Sequence, residues 1–174
     1  MLPTPFNLPQ WLATNAHELA PPVCNRVIQS GSDYLVMIVG GPNARTDFHI
    51  NPTEEWFHQV RGRMLLRMFD EQTGQIRDQY VEEGEMLLLP AHTPHSPVRF
   101  ADTVGVVVER RRGEGVEEAL RWYCEGCGKV VHERWFVCRS LEKDLKPVIE
   151  EYCGCERLRT CGACGHVNPT TYTP

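Results

Sequence analysis

The chain of 174 residues is long enough for one compact domain with a small addition, and 18 Lys and Arg against 23 Asp and Glu leave a formal charge of -5. That balance excludes a general attraction to nucleic acid or to an anionic membrane, and the one basic run, Arg110-Arg111-Arg112, is too short for a binding stripe. No apolar stretch approaches the ~20 residues of a membrane span, and Met1 to Gln10 lacks the regions of a secretory signal, so a cytoplasmic protein is expected.

In chain order, the first predicted element is a helix over about Leu8 to Leu19. Leu8, Trp11, Leu12, Asn15, Ala16 and Leu19 share one face, Asn7 can cap it, and Pro21-Pro22 stops it. Short apolar runs then follow at Tyr34–Val39, Trp56–Val60, Met64–Phe69, Ile76–Val81, Met86–Leu89 and Val104–Glu109. Turn residues divide them, at Gly40 to Asn43, Arg61-Gly62-Arg63, Asp70 to Gln75 and Glu82 to Glu85. Closely spaced strands without long helices between them predict an all-β jelly-roll barrel, with residues 1–112 as the barrel domain. Composition shifts at Gly113 to Gly115, and 113–174 is expected to form a small metal-binding subdomain, with a helix over about Leu141 to Tyr152 that Pro147 interrupts or delays.

The cysteines point to a metal. Cys124-Glu125-Gly126-Cys127-Gly128 and Cys161-Gly162-Ala163-Cys164-Gly165 are matching knuckles, in which a tight turn aims backbone amides at the sulfurs and a glycine follows. Four thiolates, Cys124, Cys127, Cys161 and Cys164, complete a tetrahedral site for zinc or iron, whereas disulfides would fit an exported chain. The mixed acidic and basic character of this segment favours a structural clip or subunit contact over nucleic-acid binding. Cys24, Cys138, Cys153 and Cys155 read as small buried thiols, and Cys153-Gly154-Cys155 offers either a ligand or a redox pair.

A second metal site is suggested by His49, Glu55 and His95. Two histidines and one carboxylate form the ligand set of a non-haem Fe(II) centre with positions open for substrate and oxygen. A lone histidine or glutamate is more often surface or hydrogen-bonded, but here Glu55 precedes Gly62 by a fixed interval and Gly84, Pro90 and His95 fall into a second ordered motif. His58 is expected on the opposite side of its strand from Glu55, and His92 outside the ligand set. Arg45 and Arg99, beside the two motifs, can converge on a planar carboxylate. Glu109 ends an apolar run, where it is either exposed at a strand end or buried with a raised pKa suited to proton transfer.

These stretches resemble the two cupin motifs, with His49-Ile50-Asn51 in place of the usual His-x-His. More specifically, Val39 to His49, Glu54 to Gln59, Leu88 to Pro97 and Val108-Glu109-Arg110 resemble the 3-hydroxyanthranilate 3,4-dioxygenase family, in the form carrying a second metal in its tail. The resemblance implies that His49, Glu55 and His95 hold Fe(II) and that Arg45 and Arg99 meet the substrate carboxylate or oxygen. It also implies that Glu109 faces the hydroxyl, and that the chain is a homodimeric enzyme acting on 3-hydroxyanthranilate and O2. The product implied is 2-amino-3-carboxymuconate semialdehyde, the precursor of quinolinate in NAD biosynthesis. A cupin isomerase, or a small-molecule sensor with a zinc-ribbon interaction module, is the competing expectation.

Overall fold

The computed structural model describes residues 4–19 and 24–173. Helix α1, Leu8–Asn15, starts where Asn7 accepts a hydrogen bond from the Gln10 amide, and the chain continues as a 3-10 turn over Ala16–Leu19. The expected helix to Leu19 thus tightens at Ala16. Leu8, Trp11, Leu12 and Leu19 pack on Ile38 and Val104, which fixes this segment on the outside of a sheet. Pro21 and Pro22, its expected stop, lie outside the described residues.

Eleven strands follow: β1 Asn25–Ser30, β2 Tyr34–Gly40, β3 Phe48–Ile50, β4 Glu55–Arg61, β5 Met64–Asp70, β6 Gln75–Val81, β7 Met86–Leu89, β8 His95–Arg99, β9 Val104–Arg110, β10 Glu117–Tyr123 and β11 Val130–Val137. They form two antiparallel sheets, one ordered β1-β2-β9-β4-β7 and the other β11-β10-β3-β8-β5-β6. All six runs read from the sequence are strands. The expected all-β jelly-roll is the observed fold, and its main core joins Met37, Phe57, Leu89 and Val107 of the first sheet to Met64, Leu66 and Val81 of the second.

Cross-strand register decides which side chains share the interior. Leu35, Glu109, Glu55 and Leu89 are direct partners across β2, β9, β4 and β7, so they point to one face, and the buried Glu55 identifies it as the inner one. Trp56 and His58 alternate to the outer face, as expected for His58.

The boundary expected near 113 falls in the turn between β9 and β10. Beyond it β10 pairs with β3 and β11 pairs with β10, extending the second sheet beyond the barrel. That extension is covered by helix α2, Leu141–Gly154, whose Leu145, Val148, Ile149 and Tyr152 pack on Leu120, Trp122 and Phe136. The helix runs unbroken through Pro147, since this buried contact outweighs the one backbone hydrogen bond that proline removes. A short α3, Glu156–Arg159, leads into the second cysteine knuckle.

Candidate metal centres and active site

His49 lies on β3, Glu55 opens β4 and His95 opens β8. His49 and His95 are direct cross-strand partners, and Glu55 faces them from the opposite sheet. Their relative exposures of 8 %, 5 % and 2 % place all three groups inside the barrel, and one donor atom from each lies within 4.8 Å of the others. His95 Nε2 is 3.4 Å from Glu55 Oε1, and His49 Nδ1 is 3.7 Å from the same oxygen. Ligands bonded at about 2.1 Å span edges of roughly 3 to 3.4 Å around one divalent ion, so the pocket fits a metal with little contraction. His95 Nδ1 is 3.0 Å from the Thr93 carbonyl, which fixes the proton there and turns the Nε2 lone pair to Glu55. Burial opposes charge on Glu55, yet His95, His49 and the Asn51 amide hold its carboxyl down at about 2. His92 is exposed on a turn with positive φ and takes no part in the cluster.

Asn51 was visible in the sequence only as a missing histidine. In the structure it is buried, and its Nδ2 donates to Glu55 Oε1 at 2.9 Å and to Glu109 Oε2 at 3.2 Å. A residue that cannot add a fourth protein ligand of imidazole type instead ties the ligand carboxylate to a second one. Glu109 is 2 % exposed, which resolves the two sequence alternatives in favour of burial. Desolvation first, and then the charge of Glu55, raises its pKa above the ordinary carboxylate range, while Arg112 pulls in the opposite direction.

The two sequence-selected arginines differ. Arg99 is buried, donates to Gln59 Oε1 at 3.3 Å and has no carboxylate partner among the described residues. Burial pushes its pKa down to about 10. Gly105 makes the space, because a Cβ there would stand 2.6 Å from Arg99 Nη1. Arg45 is partly exposed and holds Asp47 through Nε, at 2.9 Å from Oδ1, and through Nη2. The backbones of Asn43 and Arg99 pair, so the loop carrying Arg45 runs beside Arg99, but only Arg99 is a free buried cation. A cleft of about 800 Å³ opens between the β1–β2 edge and the end of β11, with Asn25, Val27, Leu35, Met37 and Arg112 in its walls. Its size suits a small organic ligand, and Arg112 connects it to Glu109.

The cysteine centre is built differently. Cys124 Sγ is 3.5 Å from Cys164 Sγ, Cys127 Sγ is 3.6 Å from Cys161 Sγ, and all four sulfurs lie within 4.8 Å. Thiolates bonded at about 2.3 Å to a tetrahedral ion stand roughly 3.8 Å apart, so this set also fits. Each knuckle repeats the same turn: Gly128 N donates to Cys124 O, and Gly165 N to Cys161 O, with both glycines at positive φ. Amides of Ala163 and Cys164 hold the Cys161 thiol down at about 6, favouring the thiolate. Buried Asn168 locks the knuckles to the barrel, donating to Tyr123 O at 2.7 Å and accepting from Glu125 N at 3.2 Å. Cys138 is buried, Cys24, Cys153 and Cys155 are half-buried, and every cysteine is a free thiol.

A double-sheet barrel enclosing a two-histidine, one-carboxylate cluster defines a metal-binding protein of the cupin class. A solved structure from Bacillus halodurans, BH2720, shares this fold at 16% identity with a TM-score of 0.51, covering 65% of this chain and 84% of its own. The family of 3-hydroxyanthranilic acid dioxygenases matches residues 1–153, and the chain belongs to it. A Yarrowia lipolytica protein named 3-hydroxyanthranilate 3,4-dioxygenase is 54% identical over 96% of this chain and 97% of its own length. An Aspergillus niger protein of the same name is 53% identical over 99% and 96%.

Proposed function

We propose that the chain is an Fe(II) ring-opening dioxygenase that converts 3-hydroxyanthranilate and O2 to 2-amino-3-carboxymuconate semialdehyde, the precursor of quinolinate in NAD biosynthesis. The observation that carries this reading is the buried His49, Glu55 and His95 cluster with Glu109 and an unpaired Arg99 in the same barrel. The identity to proteins named for this reaction, over nearly the whole chain, supports the substrate.

Held by two imidazoles and one carboxylate, Fe(II) would supply open positions for a chelating substrate and dioxygen, and the electrons that join them. The remaining work falls to the protein. Arg99 receives the substrate carboxylate, which pairs a guanidinium otherwise buried without a counter-ion among the described residues. Arg45 assists through Nη1, the nitrogen that Asp47 does not hold. Glu109 takes the hydroxyl proton at Oε2, the oxygen not held by Arg112, and its raised proton affinity suits that transfer. Asn51 keeps Glu109 and Glu55 at fixed separation through both steps.

The cysteine centre takes zinc or iron as a clip between the knuckles and the barrel. We place the enzyme in the cytoplasm as a homodimer, without nucleic acid or membrane as partner. Free thiols support the compartment. The outer face of the first sheet supports the dimer, with Met86 60% and Leu88 59% exposed beside Trp56.

Anaerobic loading with Fe(II), followed by 3-hydroxyanthranilate and air, tests the reading. The absorbance of the semialdehyde should rise with turnover; no product at full iron occupancy would overturn the assignment.

A further inference from the structure

Glu118 is fully buried on β10 and belongs to neither metal cluster. It shares the inward face with Leu120, the direct cross-strand partner of His49, and so sits one inward-facing position from that ligand. Its Oε1 lies 3.2 Å from His49 Nε2, at ion-pair distance, and among the described residues neither atom has a hydrogen-bond partner. Its Oε2 accepts from Arg112 Nε at 2.6 Å, while Arg112 Nη1 reaches Glu109. One guanidinium therefore holds both the carboxylate beside a ligand histidine and the carboxylate that faces the substrate.

We propose that Glu118 is the positioning residue for His49, accepting the Nε2 proton so that the Nδ1 lone pair is turned to Glu55 and His95, with Arg112 clamping Glu118 in place. The inference rests on the metal reading of His49, Glu55 and His95. A neutral imidazole has one donor and one acceptor nitrogen, and the nitrogen nearer a carboxylate, here Nε2 at 3.2 Å from Glu118 against Nδ1 at 3.7 Å from Glu55, keeps the proton. Without an acceptor at Nε2, the proton is free to move to Nδ1, the atom that must be bare to bind a cation. Glu118 cannot replace a ligand itself, because its oxygens are occupied by Arg112 and the far side of the ring. His95 obtains the same service from the Thr93 carbonyl, so the two ligand histidines are oriented by chemically different acceptors.

The test is anaerobic Fe(II) titration of the full chain with zinc already at the cysteines. In Glu118→Gln, the single oxygen goes to Arg112 and the amide turns its N–H to His49, which favours the wrong tautomer. Fe(II) affinity should fall by about 10- to 100-fold, the usual cost of losing an outer carboxylate partner. Glu118→Asp keeps an acceptor and should recover most of the loss, and the melting temperature of each iron-free variant separates loss of binding from loss of fold. Equal Fe(II) affinity in parent, Gln and Asp variants would overturn the positioning role alone. Affinity lost in proportion to iron-free stability in both variants would reduce Glu118 to a structural ion pair. A parent that binds no Fe(II) in the barrel overturns the metal reading with it.

Discussion

The two metal-capable centres of this chain sit in opposite settings. The barrel cluster takes three donors from three strands on two facing sheets, all buried. The cysteine cluster takes four donors from two turns at the end of the extended sheet, with Cys127 and Cys164 exposed. Three donors of mixed type leave positions free for reactants, whereas four thiolates close a tetrahedron. Residues around the first add charge without closing it, through Glu109 and Arg99; residues around the second, through Asn168 and Tyr123, join it to the barrel. Tyr123 stacks on Phe69 at 4.1 Å, directly before Cys124, so the knuckle begins where the barrel packing ends. On the proposed function, one centre serves reaction and the other attachment.

The most severe break removes the carboxylate common to both histidine contacts. Glu55→Ala should abolish barrel iron and lower kcat/KM by at least about 10^3-fold, measured beside metal content, while the cysteine metal stays bound. Next in size is Glu109→Gln, which keeps the shape and the iron but removes the proton acceptor. Turnover should drop by about 10^2- to 10^4-fold at unchanged Fe(II) content. Parallel loss of iron and activity in this variant would make Glu109 part of the metal site instead.

Legibility in the sequence follows the same division. The cysteine centre is readable by spacing alone, because each pair is local and turn geometry determines which sulfurs meet. The barrel ligands are spread over β3, β4 and β8, and only ordered motifs and family resemblance bring them together. Two of the five strands not read in the sequence, β8 and β10, share a cause. β8, His95–Arg99, turns His95 and Arg99 inward, so its interior face carries site chemistry in place of an apolar alternation. β10 hides Glu118 in the same way, and its Glu117 to Tyr123 run has no strand-like period. Asn51, Arg112 and Glu118 were not readable as site residues, because each acts on a residue brought to it by sheet pairing and not by chain neighbourhood. The change in composition at 113 marks the turn after β9, and the sheet continues across it because β10 pairs with β3.

Arg99 and Arg112 sharpen the picture within the reacting centre. Both are buried guanidiniums, but Arg112 lies between two carboxylates and Arg99 has none among the described residues. Arg99→Met should raise KM by about 10- to 100-fold while costing only about 1 to 2 kcal/mol, since Gln59 Oε1 loses a donor but no buried charge is left behind. Arg112→Met leaves Glu109 and Glu118 unpaired and should cost about 3 to 5 kcal/mol, roughly 10 °C in Tm. Thermal melts of the two iron-free variants side by side read this difference directly. Equal destabilisation by both would mean that Arg99 has an internal counter-charge.

The smallest effect on turnover should come from the attachment centre. Cys161 is one of the two buried sulfurs of the cluster, so Cys161→Ser removes one corner of the tetrahedron and should release that metal. The barrel core of Met37, Phe57, Met64, Leu66 and Val107 shares no residue with the knuckles, and sites without shared partners respond almost independently. With Fe(II) resupplied, kcat should stay within about threefold of the parent, while the segment from Asn168 to Tyr172 loosens and becomes the first point of proteolytic cleavage. The tail also touches the barrel near the reaction: Tyr172 N donates to Ala44 O, next to Arg45, and Tyr123, next to Cys124, packs edge-on against Phe48, the neighbour of His49. If the knuckle does more than attach, its loss acts through such contacts, by raising KM at unchanged kcat. A fall in kcat alone, with barrel iron full, would instead join the two centres in the reaction itself and end the division drawn between them.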